Sequence, residues 1–172
     1  AFIKACDHVK KNDSALHLMG LVSSGGVHSY NEHLYALIEL AKKQKVTRLF
    51  VHCFLDGRDV PYNSGLNFIT KLQDKLKEVG LGQIATLSGR FWAMDRDNRW
   101  DRVEKAFRAM VDGESDKKYE DPLKAIQDSY DTKVYDEEFV PTIITNDLGK
   151  PRAQIKDKDA IIYFNFRSDR AR

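Results

Sequence analysis

The 172 residues carry 28 lysines and arginines against 26 aspartates and glutamates, a formal net charge of +2, with 42% hydrophobic and 31% charged residues. This is the composition of a soluble globular chain, long enough for one domain with a substantial core and short for two, and it excludes a disordered or membrane-embedded segment. With no apolar run long enough to cross a bilayer, no signal-peptide pattern and only two cysteines, Cys6 and Cys53, a cytosolic domain without a disulfide framework is expected.

Residues 2 to 11 place Phe2, Ile3, Cys6 and Val9 at helical spacing, and Ala15 to Leu21 reads as a strand. The small-residue loop Val22-Ser-Ser-Gly-Gly-Val-His-Ser29 lets backbone approach a ligand and sets His28 ahead of a helix over 31–44, whose apolar face is Leu34, Leu37, Ile38 and Ala41. Arg48 to Leu55 is a nearly continuous apolar run, the pattern of a central parallel strand. It ends in Asp56-Gly-Arg-Asp-Val-Pro61, which puts Arg58 beside Asp59 at the strand's C-terminal end. A helix from Ser64 to Val79 turns Phe68, Ile69, Leu72, Leu76 and Val79 inward and closes at Gly80, and Gln83 to Leu87 is the third strand.

That strand delivers the stretch Ser88 to Arg102, in which Arg90, Arg96, Arg99 and Arg102 are interleaved with Asp95, Asp97 and Asp101. The helix behind it carries Trp100, Val103, Phe107 and Met110 on one face, with Trp100 expected in the core. Residues 113 to 120 read as an exposed loop, and Asp121-Pro122 starts another helix. Short strands are expected at Phe139 to Thr145 and Gln154 to Ile155, with a turn at Asn146 to Gly149 between them. The last strand, Ala160 to Phe164, runs into Asn165-Phe-Arg-Ser-Asp-Arg-Ala-Arg172, an arginine-rich loop opening a further helix.

Strand, loop and helix thus alternate, which predicts a single α/β domain with a mostly parallel sheet and helices on both faces. In such a sheet the loops at the C-terminal strand ends share one edge and form the binding crevice. Four of those loops carry His28, Arg58 with Asp59, Arg90 with Arg96, and Arg167 with Arg170. Arginine grips carboxylate or phosphate with a planar fork of donors, so the edge is expected to hold an anion rather than a scatter of surface ion pairs.

Together these loops, GLVSSGGVHS, DGRDVP, SGRFWAMDRDNRWDR and NFRSDRAR, closely resemble the inserted phosphotransferase domain of the cofactor-independent phosphoglycerate mutase family, in order and over essentially the whole chain. Tyr30 stands where a second histidine is frequent in that family, and Ser168 where other small residues or proline occur. The resemblance implies that residues 1–172 bind the glycerate substrate, 2- or 3-phosphoglycerate, through His28, Arg58, Asp59, Arg90, Arg96, Arg167 and Arg170. It further implies that Asp59 shuttles a proton between the two hydroxyls as the catalytic acid and base, while a serine on another domain carries the phosphoryl group.

By the same resemblance, two manganese or magnesium ions belong to that other, phosphatase-like domain. No metal ligand set is expected in this chain, which is expected to be a monomeric fragment inactive as a mutase alone. The opening without Met and the stop at Arg172 as a helix should begin fit a piece of something longer. Two rival readings use the same residues. A non-catalytic module for a small anionic metabolite would need the arginines but not Asp59. A nucleic-acid module would exploit Phe91, Trp92 and Trp100 among arginines, but the interleaved aspartates repel a phosphate backbone and no long basic stripe is present.

Overall fold

The structure is a computed structural model that describes residues 1–170. Its centre is a six-stranded sheet, built from β1 (Leu16–Leu21), β2 (Leu49–Leu55), β3 (Gln83–Gly89), β4 (Lys117–Tyr119), β5 (Thr142–Ile144) and β6 (Ala160–Tyr163). Their order across the sheet is β4-β5-β3-β2-β1-β6. The four strands β3, β2, β1 and β6 are mutually parallel neighbours, and β5 joins β3 antiparallel with β4 parallel to it at the edge. Contiguity is what matters for the site. Four parallel neighbours spaced ~4.8 Å apart bring four C-terminal ends onto one edge roughly 15 Å long.

Helices cover both faces. On one, α1 (Phe2–Asn12), α2 (Asn31–Lys43), α3 (Gly65–Val79) and α6 (Pro122–Asp131) close the larger core over Leu18, Val51, Cys53, Leu55 and Leu87. On the other, the single-turn α4 (Arg90–Ala93) and α5 (Trp100–Val111) cover Leu21 and Phe54 with Met94, Ala106 and Met110. Alternation along β2 explains the split, since Val51, Cys53 and Leu55 point one way and Phe54 the other. Both cysteines are free and buried.

The second face also holds a polar row that the apolar pattern does not announce. His17, His52 and Thr86 sit side by side on β1, β2 and β3, all buried. His17 Nδ1 lies 2.9 Å from His52 Nε2, His52 Nδ1 lies 2.9 Å from the Thr86 hydroxyl, and His17 Nε2 lies 3.2 Å from Asp159 Oδ2. Neutral rings satisfy the row in one direction: Thr86 donates to His52, His52 to His17, and His17 to the Asp159 carboxylate. Burial lowers the pKa of both histidines, which keeps them in that uncharged form.

Several sequence expectations are corrected. Trp100 and Phe107 are exposed, because α5 packs through Ala106, Ala109 and Met110 and leaves the Trp100–Phe107 edge overhanging. Residues 117–119, expected in a loop, form the polar edge strand β4, and Gln154 to Ile155 forms no strand. The arginine-rich end enters a 3-10 turn, Ser168–Arg170; the helix expected to open at Arg172 lies outside the described residues.

Candidate functional site at the C-terminal edge of the sheet

The loops after β1, β2, β3 and β6 are tied to each other at short range. After β2, the buried Asp56 accepts the backbone N–H groups of Arg58 and Asp59 at 3.1 and 3.0 Å and the Ser23 hydroxyl of the first loop at 2.6 Å. The three-residue spacing in Asp56-Gly-Arg-Asp59 makes this possible, since an aspartate readily closes a turn on the N–H groups that follow it. Burial alone would raise the Asp56 pKa, but these donors and the Arg90 charge bring it below the usual carboxylate range. Asp56 is therefore a carboxylate in the folded protein.

Arg90 is the largest fully buried side chain of the chain's described residues. Its Nη1 lies 2.6 Å from both Asp56 Oδ1 and Asp59 Oδ2. Burial pulls against the guanidinium charge, yet the hydrogen bonds and charges of Asp59 and Asp56 outweigh it and raise the pKa. His28 lies behind Asp59, with Nε2 at 4.0 Å from Asp59 Oδ2 and Nδ1 at 3.7 Å from Asp169 Oδ1. Burial, with Arg90 nearby, lowers its pKa and keeps the ring neutral near pH 7.

The fourth loop closes the ring. Arg96 Nη1 reaches Asp169 Oδ2 at 3.2 Å, and Arg167 Nε lies 3.0 Å from Asp169 Oδ1. Arg170 is buried and donates from Nη1 to the Met94 carbonyl at 2.9 Å. Its pKa is lowered first by burial and then by Arg90, Arg96 and Arg58, a sign of the positive field at this edge. Backbone N–H groups fasten the loops, Phe166 N–H donating to the His28 carbonyl at 2.9 Å and Leu21 N–H to the Asn165 side-chain oxygen Oδ1 at 2.9 Å.

His28, Asp59, Arg90, Arg96, Arg167 and Arg170 thus lie together on one edge. Arg58 is on the same edge but turns outward to Glu137 at 3.7 Å, with its side chain 54% exposed. Two participants were not among the expected residues. Asp56 was legible, because the Asp-Gly-x-Asp turn needs its first carboxylate. Asp169 was not, because its role depends on the β6 loop meeting the β3 loop. The helix start behind the third strand does not wait for a ligand: Asp95 already accepts the N–H groups of Asp97 and Arg99 at 3.0 and 2.9 Å.

What the edge lacks is internal satisfaction. Among the described residues, six buried side-chain polar atoms have no hydrogen-bond partner, and four of them lie here: His28 Nδ1, Arg90 Nε, Arg170 Nε and Asp169 Oδ1, the last ion-paired with Arg167 without a hydrogen bond. Such groups are costly to leave unpaired in a native fold, so their concentration marks a place built to meet something else. No group of three or more His, Cys, Asp or Glu side chains arranged to hold a metal ion occurs among the described residues. The carboxylates at this edge face guanidinium groups instead.

A family model described as the N-terminus of BPG-independent PGAM matches residues 1–172. The chain belongs to that family. It is 54% identical over its whole length to a 2,3-bisphosphoglycerate-independent phosphoglycerate mutase of Clostridium perfringens, and 55% identical to that of Clostridium acetobutylicum. In both cases it spans 33% of the relative's length. A phosphoglycerate mutase of Leishmania mexicana, crystallised at low cobalt concentration, superposes with a TM-score of 0.87 at 34% identity, over 99% of this chain and 36% of that one. Among the described residues, no helix of this family member is long and apolar enough to cross a membrane.

Proposed function

We propose that this chain is the substrate-binding and phosphotransferase part of an enzyme that interconverts 2- and 3-phosphoglycerate, with the remainder of the chemistry carried by sequence outside it. The observation that carries the reading is the cluster of buried, unpartnered donors on Arg90, Arg170 and His28 beside the Asp59 carboxylate. Phosphoglycerate offers a phosphate and a carboxylate, the two groups that guanidinium forks bind best. Arg90 and Arg170 supply fixed, desolvated cations, while the half-exposed Arg96 and Arg167 swing onto the ligand from Asp169. Arg58 reaches the same anion by leaving Glu137.

Asp59, held by Arg90, is the acid and base of the scheme. It passes one proton between the substrate's two oxygens, taking it from the hydroxyl that accepts the phosphoryl group and delivering it to the oxygen that has lost it, so that it begins and ends each cycle as a carboxylate. Neutral His28 hydrogen-bonds the transferring phosphoryl group. A serine outside this chain holds the phosphoryl in transit, and two manganese or magnesium ions bound there would stabilise its charge.

The test is a titration of the chain with 3-phosphoglycerate at low ionic strength, followed by backbone amide NMR. Shifts clustered at Gly26–His28, Gly57–Asp59, Gly89–Arg96 and Arg167–Arg170 are expected; no shifts at millimolar ligand would count against a preformed site. In a full-length enzyme, Asp59→Asn is expected to lower turnover by about 10²–10⁴-fold while substrate affinity stays within about tenfold. Unchanged turnover would instead favour a module that only binds the anion.

A further inference from the structure

Both arms of the site rest on one turn that the sequence leaves unread. Residues Asp136–Glu138 form a 3-10 turn wedged between the end of β2, the end of β3 and the start of α3. A Cβ on Gly57, whose φ is +65°, would stand 2.8 Å from Glu137 N and 3.0 Å from Asp136 Cβ. A Cβ on Gly89 would stand 2.6 Å from both the Asp136 carbonyl oxygen and Phe139 N. Gly57 lies between Asp56 and the Arg58–Asp59 pair, and Gly89 directly precedes Arg90. The same turn takes a hydrogen bond from Gly89 N–H on the Phe139 carbonyl at 2.7 Å and one from Trp92 Nε1 on the Glu138 carbonyl at 3.0 Å.

The turn is itself fixed through Asp136, which is 0% exposed. Its carboxylate accepts the Gly65 N–H at 2.7 Å and the Tyr130 hydroxyl, and its own N–H donates to the Tyr62 carbonyl at 3.1 Å. One carboxylate thereby locks α3, α6 and the turn into a single piece on which Gly57 and Gly89 lie. A charged group with no cation partner is a poor choice for stability alone. An apolar residue would fill the place but could not hold both donors.

We propose that Asp136 is the positioning residue that sets the distance between Asp59 and Arg90, and so the geometry in which the site meets its anion. It touches no ligand and acts through Gly57 and Gly89. The proposal rests on the phosphoglycerate reading only for the identity of the ligand. A displacement of about 1 Å in such groups can cost on the order of a hundredfold in function.

The experiment compares wild type, Asp136→Ala and Asp136→Asn. It uses the Arg90 Nε–Hε resonance without ligand and 3-phosphoglycerate affinity by calorimetry, both at a temperature where each variant is fully folded by circular dichroism. Asp136→Ala is expected to move the Arg90 resonance and weaken binding by tenfold or more, and Asp136→Asn, which still accepts from Gly65, to restore most of both. An unmoved Arg90 resonance and unchanged affinity in folded Asp136→Ala overturn the proposal, as does failure of the asparagine to rescue. Should Asp136→Ala not fold, Tyr130→Phe replaces it, with the same shift expected in smaller measure and no shift overturning the idea. If wild type itself does not bind 3-phosphoglycerate, the ligand assignment fails while the Arg90 resonance still decides the positioning role.

Discussion

Asp136 and His52 are both 0% exposed, and burial pushes their pKa values in opposite senses. Asp136 is raised from 3.8 to about 6, chiefly by burial. A carboxyl raised on folding favours the folded state below pH 3.8, and that contribution is lost as the pH climbs through 6. His52 is lowered from 6.5 to about 3, first by burial and then by the neighbouring His17. A base lowered on folding favours the folded state above pH 6.5, and that contribution is lost as the pH falls toward 3. Between pH 7 and pH 5 the first gains about 1.3 kcal/mol and the second loses about 2, so the two nearly offset. Denaturant unfolding of Asp136→Asn at both pH values is expected to show the full histidine loss, near 2 kcal/mol, whereas wild type loses less than about 1 from this pair. His17, shifted in the same direction as His52, deepens the loss in both proteins. Equal slopes in the two would mean that Asp136 carries no raised proton affinity.

At the scale of elements, α5 separates amphipathic pattern from actual burial. Trp100 is 69% exposed and Phe107 52%, whereas Ile69 on α3 is fully buried. Trp100→Ala is therefore expected to change unfolding free energy in this chain by about 0.5 kcal/mol or less, and Ile69→Ala by about 2–5 kcal/mol. Denaturant midpoints at constant slope measure both. The sequence made the parallel strands, their helices and the arginines at their ends legible because hydrophobic period and loop position are local properties. It left β4 unread because Lys117 and Lys118 are the polar residues that an edge strand carries. It left Asp136 unread because nothing local distinguishes Asp136-Glu-Glu138 from a solvated acidic turn. The function of that turn lies in contacts with Gly57, Gly65 and Gly89, each far away in the chain.

At the scale of the molecule, the anion edge already contains its own anions. Asp56 and Asp59 occupy Arg90, and Asp169 occupies Arg96 and Arg167, so three of the five guanidinium groups enter binding already paired within this edge. The two sets differ in kind. The Arg90 pairs are buried and hydrogen-bonded, so they define geometry and should persist in the bound state. The Asp169 pairs are a third to a half exposed, so each is worth only about 0.2–1 kcal/mol and yields readily to a phosphate. Asp169 then competes with the ligand for Arg96 and Arg167. Replacing it by asparagine removes the competitor while keeping the shape, and affinity for 3-phosphoglycerate at low salt is expected to rise by about two- to fivefold. The gain should shrink as salt is raised toward 1 M, where the Debye length falls to about 3 Å. Calorimetry on this chain at low and high salt reads both effects. A loss of affinity in Asp169→Asn would assign the carboxylate the opposite task, that of aiming the two arginines at the ligand.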